Sequence, residues 1–192
     1  MRIRDTNKNT PDRYDYLYTS EYIVNFGIPN VLGNLLELLF TGGRVLDVGF
    51  GVGNTFPFYK NVPKVYGIDF SPKGLEMAQE KRPDAILTLA NFEGKPLPYN
   101  DNFFDNLFCG EVLEHMENPE SLLKECKRVM ADNAVGIFTT PYQHEIPSEE
   151  HLHEFNLEEI TKLFSIFSEV SILRYCVDPV ERWEHYCIIF KK

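Results

Sequence analysis

"VLDVGFGVGNT" (residues 45–55) joins an apolar strand to a run of alternate glycines, and its reading decides the fold. Val45, Leu46 and Val48 supply the strand; Gly49, Gly51 and Gly53 follow, with Phe50 inside the turn. Glycines so placed permit a tight turn and let a ligand approach the backbone closely. The run is not G-x-G-x-x-G, because position 54 is Asn. That weakens a dinucleotide reading, whose third glycine lets helix pack on strand. Asp47 stands two residues before the first glycine. A carboxylate there opposes a pyrophosphate and suits a ligand carrying a cationic amine or sulfonium.

Outward from this turn the chain alternates. "RVLDV" (44–48), "KVYGID" (64–69), "DAILTLA" (84–90), "FDNLFCG" (104–110) and "AVGIFTT" (134–140) read as strands, with helices over 53–60, 72–81 and 119–130. Near-continuous apolar strands alternating with helices imply a parallel sheet covered on both faces. A helix follows over 156–167, with Asn156 and Glu159 spaced as a capping box. "EVSILRYCV" (169–177) and "HYCIIFKK" (185–192) then follow as strands. Their link is short, which makes them an antiparallel pair at one sheet edge. Upstream, "IPNVLGNLLELLF" (28–40) has helical spacing and stops at Thr41-Gly42-Gly43. Before it the chain is aromatic, with Tyr14, Tyr16, Tyr18, Tyr22 and Phe26.

The 192 residues are 43% hydrophobic and 25% charged, ordinary for one globular domain with a sizeable core. No run approaches the roughly 18 apolar residues of a membrane span. "MRIRDTNKNTPDRYDY" lacks the apolar centre of a signal peptide, so a cytoplasmic location is expected. The four cysteines, Cys109, Cys126, Cys176 and Cys187, include no C-x-x-C pair and read as buried thiols. A net charge of −10 argues against a broad phosphate-binding surface, hence against nucleic acid as a partner.

Asp69 closes the second strand, 20 residues after Gly49. A carboxylate at a strand's C-terminal end accepts hydrogen bonds from both hydroxyls of a ribose. Phe70 beside it is placed to pack on an adenine face, and Ser71 fits the N-cap of the next helix better than Asp69 does. "VLDVGFGVGNT", "VYGIDFSPKGLEMAQEK" and "NFEGKPLPYNDNFFDNLFCGEVLEHMENPESLLKECKRVM", in that order, resemble the class I S-adenosylmethionine-dependent methyltransferases. The resemblance covers about residues 43–165 and is nearest to the branch with small-molecule and ubiquinone-pathway enzymes. It implies a Rossmann-like three-layer α/β sandwich, with a seven-stranded, mostly parallel sheet of order 3-2-1-4-5-7-6 and an antiparallel last strand. It also implies one domain over 1–192, with a cap segment at 1–40 and a catalytic core at 43–192. By the same resemblance Asp47, Gly49, Phe50, Gly51 and Gly53 cradle the methionine and ribose part of S-adenosylmethionine, and Asp69 and Phe70 take the ribose and adenine. Asn91 and Phe92 stand near the adenine, where relatives often have Asp before an apolar residue. The Asp132-Asn133 turn replaces the family's Lys-Pro-Gly-Gly.

The implied reaction is transfer of a methyl group to a small-molecule acceptor at O or N, leaving S-adenosylhomocysteine. The protein's work is then to align the acceptor and exclude water. Candidate bases are His115, His144 and His153, near the strand ends, with His151 beside them. In "CGEVLEHMENP" (109–119) the implied role of Glu111 is toward the cofactor's methionine side and that of His115 toward the acceptor. In a helical turn Glu111, Glu114 and His115 would share a face and, with His151 or His153, suit Mg, Mn or Zn. Metal-free relatives share the same run, and the adopted expectation has no metal. The competing readings are a metal-assisted RNA 2′-O-methyltransferase, a non-catalytic cofactor-binding regulatory protein and, last, a nicotinamide dehydrogenase.

Overall fold

The computed structural model describes residues 9–19, 29–142, 150–178 and 183–192. Seven strands form one sheet: β1 (Arg44–Val48), β2 (Lys64–Asp69), β3 (Ile86–Leu89), β4 (Phe104–Gly110), β5 (Met130–Pro141), β6 (Ser168–Asp178) and β7 (Trp183–Lys191). Their order is β3-β2-β1-β4-β5-β7-β6, as expected. β1 to β5 run parallel, and β7 runs antiparallel to both β5 and β6. The chain winds outward from β1 in one direction and returns to start again at β4. Such a reversal opens a crevice at the strands' carboxyl ends.

Local chemistry sets the helices α1 (Pro11–Tyr18), α2 (Asn30–Leu39), α3 (Pro72–Lys81), α4 (Pro119–Val129) and α5 (Leu157–Leu163). Thr10, Ser71 and Asn118 each accept the backbone N–H three residues on, and each is followed by proline at the first helical position. There a missing N–H costs nothing. Asn156 and Glu159 close a reciprocal capping box on α5. Side chains alternate across the sheet. Phe138 and Phe190 join Leu46, Leu107 and Phe164 on one face, while Val45, Val65, Ile137 and Cys187 meet Phe40 and Tyr59 on the other. Among the described residues no helix is long and apolar enough to cross a membrane.

Three expectations change. Residues 53–60 form turns and one short 3-10 turn, Phe56–Phe58, rather than an α-helix. Gly53 has φ +72°, which cannot belong to a right-handed helix, and Tyr59 turns inward to reach Asp47. Asp132-Asn133 does not end an element: it is a bulge inside β5, with Asn133 at φ +63° and a register shift against β4. No cysteine forms a disulfide, and three are buried, but Cys176 is exposed on edge strand β6.

Arg128 on α4 fastens the loop before β4. Its guanidinium donates to the carbonyls of Leu97 and Tyr99 and to Asp101 and Glu125. Arg128→Ala therefore lowers stability by about 2–3 kcal/mol in urea unfolding, because two loop carbonyls and two carboxylates lose their donor together.

Candidate active site

A cleft of about 220 Å³ opens at the carboxyl ends of β1, β2 and β4. Gly49, Asp69, Phe70, Asn91, Phe92 and Glu111 line it, bringing together six of the ten residues expected to hold a cofactor. Asp69 is its buried acid, 1% exposed. One carboxylate oxygen accepts the Gly51 N–H at 2.8 Å and the other the Ser71 N–H at 2.9 Å. The Phe70 N–H is a third backbone donor to this carboxylate. Burial pushes the Asp69 carboxyl up to about 6, against the pull of the backbone N–H groups.

The other four stand behind the cleft. Asp47 is 1% exposed and accepts the Thr55 hydroxyl and, at 2.7 Å, the Tyr59 hydroxyl. It ties the glycine turn to the segment after it and borders a second, smaller cavity instead. Burial raises it too to about 6, with the two hydroxyls pulling the other way. Phe50 turns into the core against Phe56. Gly51 presents its N–H to Asp69, and a Cβ on Gly53 would meet Ala78 of α3 at 3.0 Å. These positions shape the loop through backbone and packing.

Helix α1 forms part of the cleft wall. Tyr14 sits edge-on to Phe70 at 5.0 Å and to His115 at 5.9 Å, and Tyr18 lines the wall beside it. Arg13 pairs with Glu150 at 2.6 Å, Asp15 accepts the Lys73 N–H and the Ser71 hydroxyl, and Asn9 donates to the His115 carbonyl. Of the segment expected as a cap, α1 packs against this cleft; Tyr22 and Phe26 lie outside the described residues.

The run after β4 departs from one helical face. Glu111 has φ +56°, and the 3-10 turn Leu113–His115 begins beyond it. Glu111 accordingly points to His185 of β7, Oε1 to Nδ1 2.8 Å. Burial raises its carboxyl, but the charge and hydrogen bond of His185, aided by Thr139, hold it below the ordinary range. Glu114 turns inward: it is 1% exposed and accepts the Thr140 hydroxyl at 2.9 Å. Burial first, and the Glu111 charge second, lift its carboxyl well above the usual range. His115 borders the cleft with Nδ1 2.9 Å from the Glu150 carbonyl, and burial keeps it neutral.

His151 lies edge-on to His115 at 4.9 Å, and ligand atoms of Glu114, His115 and His151 fall within 4.8 Å of one another. Glu111 is not in that group. His153 does not reach the cleft: it is 1% exposed, with Nε2 2.7 Å from the Met116 carbonyl and its ring on Phe155. It fastens the 113–116 turn, which corrects its expected role as a base. His144 lies outside the described residues.

The second cavity, about 130 Å³, holds the residue sequence reading missed. His185 sits there with Thr139, Tyr175 and Asp47. A lone histidine in "HYCIIF" looks like strand packing. Its place depends on the register that sets His185 against Pro141 and Tyr175, which no local pattern carries. The two cavities share Gly49 and Glu111.

Residues 46–138 match the family model described as a methyltransferase domain. Over that stretch the chain is similar to this family. Within the matched stretch fall the glycine turn, Asp69, the Asn91-Phe92 pair and Glu111; α1 and His185 lie outside it. The chain is 34% identical over 92 residues to a phosphatidylethanolamine N-methyltransferase of Cereibacter sphaeroides, covering 46% of this chain and 45% of that protein. It is 30% identical over 107 residues to a ubiquinone biosynthesis O-methyltransferase of Actinobacillus pleuropneumoniae, covering 52% and 46%. The chain thus spans less than half the length of either relative. A crystal structure of a SAM-dependent methyltransferase from Aquifex aeolicus shares the fold, with a TM-score of 0.68 at 19% identity, over 96% of this chain and 99% of that one.

Proposed function

We propose that the protein transfers a methyl group from S-adenosylmethionine to a small-molecule acceptor. The observation that carries this reading is the buried Asp69 carboxylate lining the cleft, an acceptor suited to a vicinal diol. It lies between the glycine turn and the Phe70, Asn91 and Phe92 wall. The residues present suit the donor. Asp69 would hold the ribose hydroxyls, and Phe70 and Phe92 supply apolar surface for a purine. The Asn91 side-chain oxygen already caps the Glu93 N–H at 2.9 Å, and its remaining lone pair is an acceptor for an amino group. Glu111 places a negative charge where the two cavities meet, which suits the donor's ammonium or sulfonium.

When bound, S-adenosylmethionine supplies a methyl carbon activated for displacement by its sulfonium. The chain's own residues then act by position. Tyr14 and Tyr18 screen the cleft from water, and Glu111 steadies positive charge at the junction. An acceptor in the second cavity lies beyond Gly49 and Glu111, on the side away from the adenine wall. N- and O-directed enzymes among the relatives, the two above and a sarcosine/dimethylglycine N-methyltransferase of Halorhodospira halochloris, support a small acceptor. The net charge of −10 supports it over nucleic acid.

S-Adenosylhomocysteine should raise the melting temperature by several degrees and NAD should not; no shift with the former ends this reading. The transfer needs no metal in this proposal. Glu114 is buried and already accepts the Thr140 hydroxyl, and Glu111 is engaged by His185 rather than offered beside it. A chelator during an acceptor screen is expected to leave rates unchanged, and a loss restored by Mg²⁺, Mn²⁺ or Zn²⁺ would reverse that part.

A further inference from the structure

We infer that His185, oriented by Glu111, is the base that takes the acceptor's proton, and that the second cavity receives a small aromatic hydroxyl compound. This rests on the methyl-transfer reading and adds the acceptor class and the base to it. Three observations carry it. His185 is 3% exposed and forms part of the cavity wall. Its Nδ1 is 2.8 Å from Glu111 Oε1, and its Nε2 is buried with no hydrogen-bond partner among the described residues. A buried ring nitrogen without a partner is costly and calls for a ligand group to meet it. The cavity also joins the donor cleft at Gly49 and Glu111, so an acceptor seated there is next to the methyl group's place.

Glu111, an acceptor only, holds the tautomer in which Nδ1 carries the proton, which leaves a lone pair on Nε2. His115 can hold the same tautomer against the Glu150 carbonyl, but it borders only the larger cleft and not the second cavity. The cavity's chemistry selects the acceptor. Leu32, Phe50, Phe108 and Val177 make apolar walls, while Tyr175, Thr139 and Asp47 supply the polar groups. No Lys or Arg lines it among the described residues, so a carboxylate or phosphate finds no counter-charge. A volume of about 130 Å³ is close to the roughly 150 Å³ that admits benzene. A phenolic hydroxyl keeps its proton at neutral pH and therefore needs a base. In the step, Nε2 takes the hydroxyl proton and the oxygen's lone pair forms the new C–O bond. The methyl carbon's bond to sulfur breaks, and sulfur keeps that electron pair. The products are the methyl ether, S-adenosylhomocysteine and a protonated His185 that releases its proton to water. The other ionisable groups around the ring are Tyr175 of β6 at 5.9 Å, Cys187 further along β7 and Asp47 of β1 across the cavity.

The test uses the full chain with ¹⁵N-labelled histidine, saturated with S-adenosylhomocysteine, and catechol as probe. The expected spectrum shows His185 as the Nδ1–H tautomer, with a low-field proton lost in Glu111→Gln. Catechol should shift the Nε2 resonance, and benzylamine should not. With S-adenosylmethionine, His185→Gln should methylate catechol about 10²–10⁴-fold more slowly than the parent, with KM little changed and the melting shift from S-adenosylhomocysteine intact. Catechol leaving Nε2 unmoved, or His185→Gln turning over at the parental rate, overturns the inference while the donor reading stands. A response to benzylamine alone overturns the acceptor class. If S-adenosylhomocysteine stabilises neither parent nor variant, both readings fall.

Discussion

Asp69→Ala weakens S-adenosylhomocysteine binding by about 10²–10⁴-fold. A carboxylate accepting two ribose hydroxyls makes two charge-assisted hydrogen bonds, each worth about 1.5–3 kcal/mol, and every 1.4 kcal/mol is about tenfold in affinity. Asp69→Asn keeps one acceptor oxygen and the shape, and should weaken binding less than Ala does. The alanine variant also strips the Gly51 and Ser71 N–H groups of their acceptor, so its melting temperature falls and calorimetry must be run where it is folded. The pH dependence follows from the same carboxyl, which burial raises to about 6. Above pH 7 it is ionised and affinity is flat. As pH falls through 6 it takes a proton and loses acceptor capacity, so affinity declines with falling pH, toward tenfold per unit if only the ionised form binds. An Asp69→Ala protein that binds within threefold of the parent would remove Asp69 from the ribose role.

The sheet was readable because its determinants are local. Apolar runs marked every strand, and Ser71 and Asn156…Glu159 marked helix starts within a residue. Strand order came with the family resemblance, and only the short pair of final strands was legible from chain order alone. The site was readable where function hangs on backbone placement: Gly49 and Asp69 follow strands whose ends are fixed by the sheet. It was not readable where side-chain direction decides. Asp47 has the spacing of a ligand-facing acid, yet Thr55 and Tyr59, 8 and 12 residues on, turn it inward. Glu111 has the spacing of a helical partner to Glu114, yet its positive φ sends it to β7. His185 is 74 residues from Glu111, and only the antiparallel register of β5 and β7 brings them together. Long-range pairing of this kind leaves no periodic trace in the chain.

Gly49→Ala should cost about 2–5 kcal/mol of stability and bind S-adenosylhomocysteine at least tenfold more weakly, whereas Gly42→Ala should cost only about 1–2 kcal/mol and leave binding unchanged. Both glycines have φ near +70°, at +70° and +68°, so both substitutions carry the left-handed penalty of about 1–2 kcal/mol. They differ in what a Cβ meets. At Gly42 there is nothing within 4 Å, but at Gly49 Val112 Cγ2 lies 2.4 Å away. Val112 cannot yield easily, because a β-branched side chain is stiff at χ1. Overpacking of this kind adds about 1–3 kcal/mol. The Gly49 N–H is also tied to the Ile68 carbonyl at 2.8 Å, so the turn resists moving the other way. Whatever relaxation occurs passes to Val112, between Glu111 and the Leu113–His115 turn. It therefore disturbs the residues where the two cavities meet. Urea unfolding of both variants, read against S-adenosylhomocysteine titrations, separates backbone strain from overlap. Equal stability losses at the two positions, with parental binding in both, would show that the junction at Gly49 does not depend on the missing side chain.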